Sequence, residues 1–351
     1  MRFILTVFSL LILTHICAQP KKDSIYYAKL SQPGTKMIPV YNGKYKVFTQ
    51  KIGDGRLKLL LLHGGPANCH EYFENFPEYL LKQGFTIYYY DQLGSYYSDQ
   101  PDDSSIWNIP RFVEEIEEVR KGLKLEQFYL LGHSWGGMLA ELYTEKYQQH
   151  IKGLILSDVP SFSFLNNDSI MYQHFADSME KKITAETKSL PALSKYKKVL
   201  LDSISAGFTL TDSILSNKIN SEYSILLDSI DERTRFYHKS GTEPEPLLRN
   251  YSHINRAGRN KYKFTNQVQK PDYMKAVERI KVPTLIISAK YDYTMPDYYP
   301  KMKERMSKAK CRIYICPNGA HFAMWDDSEN YFRELARFVK EVDGNSFNPD
   351  N

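Results

Sequence analysis

Cysteine is scarce in this chain, four in 351 residues, and tryptophan is scarcer still at three. So few cysteines exclude a scaffold built on disulfides. No Cys/His spacing has the form of a metal site, so neither a metal nor a cofactor is expected. Cys311 and Cys316 stand on one expected strand with an odd spacing, face opposite sides of it, and cannot easily bridge. A dominant charge is lacking too. Lysine and arginine number 46 against 41 acids, net +5, and no dense basic stripe argues for a nucleic-acid partner. The apolar stretch Phe3–Leu13, after Arg2, is too short to span a membrane. Followed by Ile16-Cys17-Ala18 and Gln19, it predicts a signal peptide over 1–18, export to the periplasm or the medium, and no transmembrane span after processing. Lipid anchoring through Cys17 is the alternative, for which His15 and Ile16 are poor neighbours.

What the chain does have is an ordinary globular balance, 42% hydrophobic and 25% charged, with 27 tyrosines. Some of Tyr88, Tyr89, Tyr90, Tyr96, Tyr97, Tyr291, Tyr293, Tyr298 and Tyr299 are expected to wall an apolar pocket beside strand-end loops. Strand patterns fall at 45–50, 57–62, 86–90, 127–131, 151–156, 284–289 and 311–315. Helical patterns fall at 71–82, 111–122, 135–147 and 327–341. The alternation predicts an α/β fold, a mostly parallel sheet with helices on both faces. Residues 19–36 read as an exposed leader, and 37–159 with 281–345 as the core. Over 160–280 the alternation stops, Pro244 and Pro246 interrupt the pattern, and an inserted helical lid over the C-terminal edge of the sheet is expected.

The chemistry is carried by Gly132-His133-Ser134-Trp135-Gly136, preceded by a strand pattern and followed by a helical one. Strand, G-x-S-x-G, helix is the context of a nucleophile elbow, with Ser134 exposed on a sharp turn. Leu57–Leu62 runs apolar into His63-Gly64-Gly65-Pro66. Acyl transfer needs backbone N–H groups aimed at the oxygen that becomes negative. The expected donors are the N–H of Gly65 and that of Trp135, the residue after the nucleophile. Acid and base should follow in that order. Asp292 lies in the loop after strand 284–289, and His321 in the loop after strand 311–315. His321 would take the serine proton and pass it to the leaving group, with Asp292 holding the imidazole. Asp158, just past strand 151–156, is the rival acid.

Together Leu62-His63-Gly64-Gly65-Pro66, Tyr90-Asp91-Gln92-Leu93-Gly94-Ser95, Gly132-His133-Ser134-Trp135-Gly136-Gly137, Tyr291-Asp292 and Gly319-Ala320-His321 resemble the proline iminopeptidases, serine peptidases with an α/β-hydrolase core and a helical cap. The resemblance spans 57–340, with the lid matching least. It implies an α/β-hydrolase fold, nucleophile, acid and base at Ser134, Asp292 and His321, and a short-peptide substrate. Two glycines of the family pattern are replaced, by Ala67 after HGGP and by Tyr96 after DQLG. Family members hold the substrate's amino group with acidic lid residues. The candidates here are Glu243 and Glu245, followed by a basic run, Arg249, Arg256, Arg259, Lys261 and Lys263. The expected activity is an aminopeptidase working through an acyl-enzyme. An esterase or lactonase on small acyl esters, and an inactive binding protein of the same fold, are the alternatives.

Overall fold

The computed structural model describes residues 24–66, 68–101, 103–160, 275–292 and 298–350. The signal peptide, Cys17, Ala67, Tyr293, Glu243, Glu245, the basic run after them and all but the ends of the lid stretch lie outside the described residues. The chain divides into a short unit ending at Gln32 and a large one starting at Pro33. In the first, the stretch read as leader contains a helix, α1 (Ser24–Leu30).

The second unit carries an eight-stranded sheet. In chain order its strands are β1 (Thr35–Val40), β2 (Tyr45–Ile52), β3 (Leu57–Leu62), β4 (Phe85–Tyr90), β5 (Phe128–His133), β6 (Ile151–Ser157), β7 (Thr284–Ala289) and β8 (Cys311–Cys316). In space they lie β1-β2-β4-β3-β5-β6-β7-β8. β1 and β2 are antiparallel to their neighbours, and every pairing from β4 across to β8 is parallel. The sequence pattern misses β1 because Pro39 breaks the run. A proline that cannot donate to a ladder is tolerated there, since β1 is an edge strand.

Helices cover both faces: α2 (Phe76–Leu80), α3 (Ile109–Leu123), α4 (Trp135–Tyr147), α5 (Tyr299–Arg305), a single turn α6 (Ala323–Asp326) and α7 (Ser328–Asp343). The period of two along a strand decides which face each side chain serves. In β3, Leu60 and Leu62 pack with Phe112 and Ile116 of α3 and Leu139 of α4. Leu59 and Leu61 pack with Phe76 of α2 and with Phe332 and Leu335 of α7. Each such leucine, taken fully out of water, contributes about 1.5–3 kcal/mol. The same alternation puts Cys311 in the first layer and Cys316 in the second, and both thiols are free.

The expected helix over 71–82 is broken instead. A 3₁₀ turn at His70–Phe73 leads to α2, which has Pro77 in its first turn. At the other side of the lid stretch, Ala276, Val277 and Ile280 are buried in the α3/α4 layer, so the core resumes before residue 281. Tyr89 and Tyr90 do not wall a pocket. They are buried in the two core layers, with their hydroxyls on Phe73 O and on the Glu115 carboxylate of α3.

Candidate active site

The C-terminal ends of β3, β5, β6, β7 and β8 bring the candidate residues to one edge of the sheet. Ser134 joins β5 to α4 with φ +54° and ψ −124°, a conformation that non-glycine residues rarely adopt. Glycine on both sides makes the turn feasible. A Cβ on Gly132 would sit 2.2 Å from Gly136 O, and one on Gly136 would sit 2.2 Å from Leu62 O. The Ser134 N–H donates to Ser157 O of β6 at 2.9 Å, which fixes the elbow to the sheet. Trp135 is the first residue of α4, so its N–H lies at the positive end of the helix dipole.

The His63-Gly64-Gly65 turn lies directly against the elbow, with the Cβ of Ser134 3.0 Å from where a Gly64 Cβ would be. Burial depresses the pKa of His63, so its ring is neutral. Its Nε2 accepts from the Gln92 N–H at 3.0 Å, which leaves Nδ1 to donate to Gly64 O at 2.9 Å. The Gly64 N–H donates to the Tyr72 hydroxyl at 2.5 Å, so the donor the turn keeps for a ligand is that of Gly65, where φ is +124°.

The structure brings Asp292 and His321 together. Nδ1 of His321 lies 3.0 Å from Oδ1 of Asp292, and both side chains are buried. Backbone bonds hold the two loops together, Tyr291 N–H to Gly319 O at 3.1 Å and Lys290 N–H to Cys316 O at 3.0 Å. The Ala320 N–H is fixed by the Asp326 carboxylate at 3.0 Å.

Two connections escape a reading of the sequence. His133 is the variable residue of the elbow motif, yet its Nε2 lies 2.7 Å from His321 O. A carbonyl only accepts, so Nε2 carries the proton and Nδ1 accepts from the Tyr72 hydroxyl at 3.2 Å. Tyr72 thus links the glycine turn, the elbow and the histidine loop, and burial pushes its own pKa far up. Nothing marks it among 27 tyrosines. The second connection is Gln92. Its amide nitrogen donates to His63 O at 2.8 Å, and its oxygen accepts from the Trp135 indole at 3.1 Å. It therefore ties the glycine turn to the side chain of the residue after Ser134. Gln92→Leu removes both hydrogen bonds and is expected to lower kcat by about 10- to 100-fold through misplacement of the turn against the elbow. Unchanged steady-state kinetics in that variant would refute the coupling.

A hydroxyl at a helix N-terminus, a histidine held by a buried carboxylate and a backbone donor beside the hydroxyl form the set that acyl transfer requires. Among the described residues no cluster of His, Cys, Asp or Glu could hold a metal ion, and no helix is long and apolar enough to cross a membrane.

Comparison with known proteins identifies the family. The α/β-hydrolase fold family model matches residues 59–198. The chain is 37% identical over 320 residues to a proline iminopeptidase of Elizabethkingia meningoseptica, covering 89% of this chain and 100% of the relative. It is 36% identical over 329 residues to that of Flavobacterium johnsoniae, with the same coverage. Among solved structures, the proline iminopeptidase of Mycobacterium smegmatis superposes with a TM-score of 0.66 at 19% identity, covering 89% of this chain and 100% of that one. The chain belongs to the proline iminopeptidase family, the serine aminopeptidases of the α/β-hydrolase fold.

Proposed function

We propose that the protein releases the N-terminal residue, proline foremost, from short peptides, with Ser134 as nucleophile, His321 as base and Asp292 as the acid that orients it. The observation that carries this reading is the buried Asp292–His321 pair at the sheet edge that also bears the strained Ser134 elbow. Ser134 Oγ attacks the carbonyl of the first peptide bond while Nε2 of His321 takes its proton. The oxyanion forms against the N–H groups of Gly65 and Trp135. His321 then protonates the departing amine, and a water activated by the same imidazole hydrolyses the acyl-enzyme. Asp292 fixes the tautomer and stabilises the imidazolium.

An aminopeptidase must also recognise a free ammonium, and a desolvated ammonium needs a carboxylate. Glu243 and Glu245 of the lid stretch supply it in this proposal. The segment 1–18 directs export, so that the enzyme meets its peptides outside the cytoplasm. The test is turnover of a prolyl arylamide against its N-acetylated form. Rapid cleavage of the free amine alone is expected, with KM raised in Glu243→Gln or Glu245→Gln. Equal cleavage of both forms would favour an esterase instead.

A further inference from the structure

Asp158 is a buried titratable group that this mechanism leaves unused. Parallel pairing of β6 with β7 puts Ser157 opposite Ile287, and the Asp158 N–H extends the ladder onto Ile287 O at 3.0 Å. That register sets the Asp158 side chain beside Ser288, four residues before Asp292 in the chain. Ser288 Oγ lies 3.0 Å from Asp158 Oδ1 and 3.4 Å from Asp292 Oδ2, so one hydroxyl bridges the two carboxyl groups. Asp158 is 0% exposed, as is the side chain of Asp292. Asp158 also adopts φ +45°, an uncommon backbone state that the surrounding structure must impose.

The other groups facing the pair come from three elements. Ser157 of β6 donates to Asp158 Oδ2 at 3.0 Å. Tyr331 of α7 donates to Ser157 Oγ at 2.9 Å. The Cys316 thiol, at the end of β8, lies within the field of Asp158. His321 stands on the far side of Asp292. Burial raises the pKa of both the Tyr331 hydroxyl and the Cys316 thiol, so each stays protonated at neutral pH.

Two carboxyl groups in one dry site do not both ionise. The position of the proton follows from the partners. Asp292 faces the N–H of His321, which favours its charged form. Asp158 meets hydroxyls and the charge on Asp292. Burial first, and then that charge, push the Asp158 carboxyl well above the usual carboxylate range.

We propose that Asp158 is a positioning residue for the acid–base pair, a neutral carboxylic acid that donates a hydrogen bond to the Asp292 carboxylate. The inference rests on the triad assigned above. The bond turns the Asp292 oxygen that faces His321 and draws off part of its charge. Asp292 then holds the imidazolium less tightly, and His321 returns its proton to the leaving amine more readily. The two candidate acids of the sequence are thus partners in one unit.

Three variants test this: Asp158→Asn, Asp158→Ala and Asp292→Asn. An asparagine amide keeps a donor toward Asp292, so Asp158→Asn should hold kcat within about threefold of wild type and leave the acid limb of the kcat/KM profile in place. Asp158→Ala removes the donor. The limb should move up by about one pH unit, because an unmoderated Asp292 favours the imidazolium, and kcat should fall about tenfold or more through lost orientation. An equal loss in Asp158→Asn and Asp158→Ala with the limb unmoved would overturn the proposal in favour of a packing role. Collapse of Asp158→Asn with Asp292→Asn active would overturn it by making Asp158 the acid. Infrared difference spectra of wild type against Asp158→Asn at neutral pH need no turnover. A protonated carboxyl band lost in the variant is expected, and no such band in wild type refutes the neutral acid. Inactivity of wild-type protein toward every acyl substrate would instead refute the hydrolase reading, with the infrared result still deciding the proton on Asp158.

Discussion

Ser134→Ala should lower kcat on a prolyl arylamide by about 10⁴-fold or more, the scale seen when a triad nucleophile is removed. It should also abolish covalent labelling by a fluorophosphonate. The elbow makes this a clean experiment. The φ of +54° at Ser134 is held by the Gly132 and Gly136 contacts and by the N–H bond to Ser157 O, none of which uses the hydroxyl. Alanine therefore preserves the turn while removing the reacting atom. Residual hydrolysis would come from the oxyanion donors and substrate binding alone. Undiminished labelling in the variant would place the nucleophile elsewhere.

Asp292→Asn should cost a comparable factor, about 10⁴ in kcat, for a different reason. The carboxylate only accepts, so it requires the proton of His321 on Nδ1 and leaves Nε2 free to act as base. An asparagine can turn its amide N–H toward Nδ1 and stabilise the opposite tautomer, in which Nε2 is already protonated. The 3.0 Å spacing leaves the geometry intact while the chemistry is inverted. Fluorophosphonate labelling should slow in parallel with turnover, because both need a deprotonated serine. A variant with kcat within about tenfold of wild type would exclude Asp292 as the orienting acid.

Much of the parallel sheet was legible because its strands are apolar runs that stop at turn or loop residues. Leu57–Leu62 and Thr284–Ala289 have the bounds their patterns predict. β1 escaped because an edge strand buries little, and Pro39 weakens an already short pattern. The helix expected at 71–82 failed on Pro77, which divides a continuous pattern into short turns. Ser134, Asp292 and His321 could each be picked from the turn or loop that follows a strand. Asp158 passed the same test, so order along the chain made it a competitor. Only the adjacency of β6 and β7, a tertiary fact, brings both aspartates to the hydroxyl of Ser288. Tyr72 had no comparable signal, and Gln92 was marked only as part of the Tyr90–Ser95 stretch, with no role attached to its side chain. Their roles depend on where a hydroxyl and an amide end up, and local periodicity does not encode that.

The strand order has a consequence for the protein while it is being made. The glycine turn and the elbow lie in the first half of the chain, whereas Asp292 and His321 lie in its last quarter. Domains fold as synthesis proceeds, N-terminal parts first. In the proposed mechanism the serine has neither base nor acid until β7 and β8 emerge and add to the open edge of β6. The nascent chain is therefore chemically silent toward the peptides and polypeptides around it, and its reactivity begins with the docking of its final strands.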